Sequence, residues 1–133
     1  MLWIEREVAA GADEAWALLT DVERWPQWGP SVRDAGLVDG CRFEPGATGW
    51  VQTPLRVRLP FRITDVTQVT ATSDAGADRR WGWRVAGLPA TDHRVRPLGS
   101  SRCRVGFGVP RAAAPYALVC RRALAAIDEL LTA

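Results

Sequence analysis

The sequence contains no lysine and no asparagine, a single histidine (His93) and three cysteines in 133 residues. Each shortage removes a chemistry. Without lysine there is no Schiff-base nucleophile and no Walker-type phosphate loop. One histidine cannot build an HExxH zinc site, and Cys41, Cys103 and Cys120 are too few and too scattered for a zinc knuckle. Gly106-Phe107-Gly108-Val109-Pro110 stops short of the third glycine of a dinucleotide loop, and Gly99-Ser100-Ser101-Arg102-Cys103 lacks the closing glycine of a nucleophile elbow. No apolar run approaches the roughly 18 residues that a membrane helix needs. The segment Met1-Leu2-Trp3-Ile4-Glu5-Arg6-Glu7 has no basic stretch followed by an apolar block. Separated cysteines suit a reducing compartment, and no N-glycosylation site can exist without asparagine. A cytoplasmic protein working without metal, nucleotide or other cofactor is therefore expected.

What is present suits one globular domain over residues 1–133. Apolar residues make up 47% of the chain and charged ones 24%, and folding a chain of this length removes roughly two-thirds of its extended surface from water.

Hydrophobic period changes twice along the chain. Leu2 to Val8 alternates weakly, as a strand does, and ends at Ala9-Ala10-Gly11. Ala12, Ala15, Trp16 and Leu19 then fall at helical spacing, with Asp13 and Glu14 in the first turn, where the helix dipole favours anions. Asp21 to Trp25 adds a second short helix stopped by Pro26, with Gln27-Trp28-Gly29-Pro30 as a bend. Ser31 to Leu37 and Thr48 to Gln52 supply two weak strands. Val57, Leu59, Phe61 and Ile63 alternate with polar neighbours until a slip at Val66, where a bulge would restore phase. Thr72 to Asp78 reads as a polar loop. Three alternating segments follow, around Trp81, Trp83 and Val85, around Thr91, His93 and Val95, and from Cys103 to Val109. Turns at Gly87-Leu88-Pro89 and Pro97-Leu98-Gly99-Ser100 join them into an antiparallel meander. Beyond Pro110 the period is helical again: Ala113, Tyr116, Ala117, Cys120, Leu124, Ile127 and Leu131 trace one stripe of a closing helix of about five turns.

This order, with three local strings, resembles the START/birch-pollen-allergen-like superfamily, also called SRPBCC or polyketide cyclase/dehydrase. The strings run from Ala15 through Trp16 and Asp21 to Trp25-Pro26-Gln27-Trp28, over Pro60-Phe61-Arg62-Ile63, and from Trp83 through Gly87-Leu88-Pro89 to Asp92-His93-Arg94-Val95. The last two are similar to a subgroup of small bacterial members. The resemblance implies an α+β helix-grip fold, in which a seven-stranded antiparallel sheet wraps a long C-terminal helix around a cavity, with two short helices after the first strand. Members include lipid carriers, hormone receptors and aromatic cyclases, so it implies no single activity.

Alternation alone assigns an inward face. Trp50, Phe61, Ile63, Trp81, Trp83, Val95, Phe107 and Val109 should meet Tyr116, Cys120 and Leu124 of the closing helix, with Trp28 near the mouth. Trp50 lies in a strand without clean phase. Each ring by itself suits a filled core; together they suit an apolar concavity for a planar ligand. His93 shares this face, as a ligand anchor, a general base with a pKa near the working pH, or a core imidazole held by a carbonyl or by Tyr116. Tyr116 is a ligand contact or a helix–sheet contact, and Cys120 a small core residue. Arg58, Arg62, Arg84, Arg94, Arg96, Arg102 and Arg104 alternate outward with only Asp92 to offset them, a surface for an acidic partner or anionic membrane, or simply a soluble sheet face. Nucleic acid is disfavoured because no exposed aromatics interleave with those arginines.

Two functions are thus expected. The first is binding of a small apolar, aromatic or polyketide/lipid-like molecule by a monomer or homodimer. The alternative is an aromatase/cyclase or dehydratase in which His93, with Tyr116 or Thr91, moves protons. No inward carboxylate assists unless Glu44 or Asp65 turns in.

Overall fold

A computed structural model describes residues 1–69 and 78–133. The loop expected from Thr72 to Asp78 lies outside the described residues, except for Asp78, which opens a strand.

The chain runs β1 (Leu2–Val8), α1 (Ala12–Thr20), a 3₁₀ turn (Val22–Arg24), α2 (Trp25–Trp28), β2 (Asp34–Leu37), β3 (Thr48–Gln52) and β4 (Arg58–Val69). It continues through β5 (Asp78–Val85), β6 (Leu88–Pro97), β7 (Cys103–Val109), a second 3₁₀ segment (Arg111–Tyr116) and α3 (Ala117–Thr132). The seven strands form one antiparallel sheet in the order β1-β7-β6-β5-β4-β3-β2. First and last strands close on each other, from Leu2 opposite Val109 to Val8 opposite Cys103. The concave side of the sheet holds α3, which packs on β1, β7, α1 and α2. This is the α+β helix-grip architecture.

Local chemistry explains the elements. In α1 the buried face is Ala15, Leu18 and Leu19, with Asp13 and Glu14 in the first turn. Pro26 does not stop the second helix. It occupies the first turn of α2, where a missing N–H costs nothing, and the helix continues to Trp28. The spacing of three therefore puts Trp25 and Trp28 on one face, both buried. In β4 the ladder shifts between Ile63 and Asp65, slightly ahead of the slip expected at Val66. Ala86 and Gly87 both have positive φ, 51° and 78°, as a two-residue hairpin turn requires, and β6 resumes at Leu88 rather than after Pro89. The closing helix is shorter than its stripe. Residues 111–116 form a 3₁₀ segment containing Pro115, and the α-helix covers 16 residues, about 24 Å. Its buried side is Cys120, Ala123, Leu124 and Ile127.

The convex face departs from the expected arginine field. Pairing β1 with β7 sets Glu7 beside Arg102 and Arg104 (3.2 and 2.9 Å), and Glu5 lies 3.4 Å from Arg94. Arg96 meets Asp78 at 3.1 Å, and Arg80 binds both Asp65 and Asp92. The sequence alternation could not show that the acids of β1 and β5 join this face, so Asp92 is not the only offset.

Candidate functional site

Between the concave sheet, α2 and the start of α3 lies a cavity of about 340 Å³. Its floor is a cross-strand row: Trp81 of β5 is directly opposite His93 of β6, which is opposite Phe107 of β7. On this row the Trp81 and His93 rings stack at 3.7 Å and 11°, and Phe107 meets His93 edge-on at 5.1 Å. Trp25 of α2 stacks on Trp81 at 5.4 Å, and Trp28 lies 6.4 Å from His93 and 5.7 Å from Phe107. Trp83, Cys120 and Ala123 complete the inner wall, and Ser31, Thr53, Pro89 and Tyr116 also border the cavity. Ser31 and Tyr116 share a hydroxyl–hydroxyl hydrogen bond of 2.6 Å, tying the segment after α2 to the start of the closing helix.

Few polar atoms interrupt these walls, and among the described residues no carboxylate or arginine borders the cavity. The Trp83 indole N–H donates to Thr91 Oγ1 at 3.2 Å, and Thr91 Oγ1 lies 3.2 Å from His93 Nε2. The Trp25 indole N–H donates to the Leu19 carbonyl at 3.0 Å. Among the described residues, nothing hydrogen-bonds Trp28 Nε1, Trp81 Nε1 or His93 Nδ1.

Burial governs the titratable groups. His93 is 3% exposed, and desolvation pushes its pKa from 6.5 down to about 3; the Trp81 backbone opposes this in lesser part, without hydrogen-bonding Nδ1. The imidazole is therefore neutral at neutral pH, far from the working range expected of a general base. Burial also pushes the Cys120 thiol up to about 11 and raises the Tyr116 phenol, against the pull of the Ser31 hydrogen bond.

Of the residues singled out from sequence, Trp28, Trp81, Trp83, His93, Phe107, Tyr116 and Cys120 border the cavity. Phe61, Ile63 and Val95 are buried in the core outside its wall. Trp50 is a correction. Gly49 and Val51 are the buried positions of β3, so Trp50 faces the convex side, with the Arg58 guanidinium 4.0 Å over its ring. The inward position opposite Phe61 has to be a glycine, Gly49, because a Cβ there would collide with the Gly36 carbonyl and the Phe61 ring. Glu44 is exposed and Asp65 pairs with Arg80, so neither turns inward. Trp25 and Ala123 were missed. Helical periodicity past Pro26 would have signalled Trp25, and Ala123 lies three positions after Cys120 on the helix stripe.

No protein of curated function matches the sequence. Residues 4–132 match the family described as polyketide cyclase / dehydrase and lipid transport. The chain belongs to that family. Among solved structures, this polyketide cyclase/dehydrase-family chain is similar to a protein from Bacillus thuringiensis, at 14% identity and TM-score 0.68, covering 99% of this chain and 98% of that one. It is similar to the di-domain ARO/CYC BexL from the BE-7585A biosynthetic pathway, at 17% identity and TM-score 0.61, covering 97% of this chain and 46% of that one. It is also similar to norcoclaurine synthase from Thalictrum flavum in complex with dopamine and hydroxybenzaldehyde, at 14% identity and TM-score 0.59, covering 98% and 85%. At these identities the likeness shows the shared fold. The family and the aromatic-lined interior fit a pocket for a hydrophobic ligand. Among the described residues, no three His, Cys, Asp or Glu side chains gather as a metal site, and no helix is long and apolar enough to cross a membrane.

Proposed function

We propose that this protein binds one small, largely apolar molecule, planar and aromatic or polyketide/lipid-like, between the sheet and α3. The observation that carries the proposal is the cavity itself: about 340 Å³ bordered by four tryptophans, Phe107 and His93, with no ionised side chain on its wall among the described residues. A space of this size is in the range of small-molecule sites, and one lined by rings gains more from a flat ligand, through stacking, than from water. Ala113 and Tyr116 of the 3₁₀ segment border the cavity beside Ser31, which supports an opening at that end. The three free thiols, Cys41, Cys103 and Cys120, support a reducing, cytoplasmic setting.

Proton-transfer chemistry by His93, with Tyr116 or Thr91, draws no support from the site. A buried imidazole whose pKa lies at about 3 is a weak base at neutral pH, and among the described residues no carboxylate borders the cavity to assist it. Binding is the stronger reading.

The test combines native mass spectrometry of the protein purified from its source with a tryptophan-fluorescence titration of fluorene. A co-purifying small molecule, or saturable one-to-one quenching that is lost in Ala123→Trp, where the new indole fills much of the cavity, supports the proposal. No co-purified mass together with no saturable quenching overturns it.

A further inference from the structure

Among the described residues, the buried side-chain polar atoms left unpaired in the cavity wall are of one kind. Thr91 Oγ1 already accepts from the Trp83 indole, so its own proton needs an acceptor, and among the described residues the one in reach is His93 Nε2. If Nε2 carried the proton instead, the Thr91 hydroxyl would be a buried donor with nothing to donate to, the costlier arrangement. The neutral imidazole therefore holds its proton on Nδ1. That makes all three unpartnered atoms, Trp28 Nε1, Trp81 Nε1 and His93 Nδ1, hydrogen-bond donors. Their side chains are each more than nine-tenths buried, all three border the cavity, and the two indole rings both lie against His93.

We infer that the cavity selects uncharged ligands carrying a hydrogen-bond acceptor, a carbonyl or ether oxygen, and places that oxygen against Trp28, Trp81 and His93. The inference rests on the reading of the cavity as a ligand site and adds a chemical class to it. Three donors without an acceptor discriminate in a defined order. A ketone oxygen satisfies donors and brings none of its own. An alcohol brings a proton that this end of the cavity cannot accept. At this end of the cavity an ammonium group meets unpaired donors and no unpaired acceptor, and a carboxylate enters a low-dielectric space with no cation to pair it. A bare hydrocarbon fits but leaves the donors unpaired, which a site built on hydrogen bonds penalises.

Fluorene, fluorenone and fluorenol share one planar ring system and differ only at the bridging carbon. Isothermal titration of the intact protein with each should give fluorenone about tenfold tighter than fluorene, with fluorenol weaker than fluorenone. The fluorenone-to-fluorene ratio should fall several-fold in Trp28→Phe. Saturable fluorene binding with fluorenone no tighter, or fluorenol the tightest, overturns the inference and leaves the cavity as a ligand site. Binding of none of the three overturns the inference and, if no small molecule co-purifies either, the ligand-site reading with it. Nitrogen NMR of the lone imidazole in the unmodified, ligand-free protein checks the tautomer independently of any variant: a proton on Nδ1 supports the inference, and a proton on Nε2 overturns it.

Discussion

Mild acid should destabilise this protein, and His93 is the reason. In the unfolded chain the imidazole binds a proton below pH 6.5, its ordinary pKa; folded, it stays neutral down to about 3 because the site between Trp81, Trp28 and Phe107 excludes water. Between those values the unfolded state binds one proton more than the folded state. Folding stability is therefore complete above pH 6.5 and declines as pH falls, by about 1.4 kcal/mol per pH unit. From pH 6.5 to 5.0 the loss is about 2 kcal/mol, a large share of the margin of a domain this size. The chain has one histidine, so no second imidazole contributes in this window. As pH falls, Glu7, held below the usual carboxylate range by hydrogen bonds from Arg104 and Arg102, adds a further loss, and Asp92, raised by burial, opposes it. Urea unfolding at half-unit pH steps should show the midpoint falling by about 1 M across the window, and His93→Leu should flatten the slope. A midpoint constant from pH 7 to 5 in the unmodified protein would refute the burial argument.

Two further outcomes follow from the packing. Trp50→Ala should cost about 1 kcal/mol, the worth of a part-exposed cation–π contact, whereas Trp81→Ala should cost about 3–5 kcal/mol because it empties the stack between Trp25 and His93; equal losses in chemical denaturation would contradict the assigned faces. Alkylation of the native protein at pH 8, followed by peptide mass mapping, should label the half-buried Cys41 first, because burial raises the Cys103 and Cys120 thiols and shields them. Prompt labelling of Cys120 would show that its surroundings are open to water.

The fold was legible because its strands alternate and its helices do not. Trp81, His93 and Phe107 stand in phase on three neighbouring strands, which is enough to place them on one face. What failed was information that no single segment carries. β3 has two candidate faces, and Gly49 decides between them only through the Gly36 carbonyl and Phe61 ring that press against it from β2 and β4. Trp25 was hidden because a proline inside a short helical pattern reads as a stop, although the same proline is well suited to a first turn. The arginine face read as unbalanced because Glu5 and Glu7 lie about a hundred residues away in sequence and join it only through the β1–β7 closure. The low pKa of His93 is likewise a property of tertiary burial, invisible to phase alone.

The central claim is that the aromatic cavity holds a small molecule, and intermolecular NMR contacts from bound fluorene test it most directly. The account predicts one saturable site whose contacts fall on Trp28, His93, Phe107 and Cys120. Contacts confined to the convex face, on Trp50 and on Trp3 beneath the Arg94 guanidinium, or the absence of saturable binding, would contradict it.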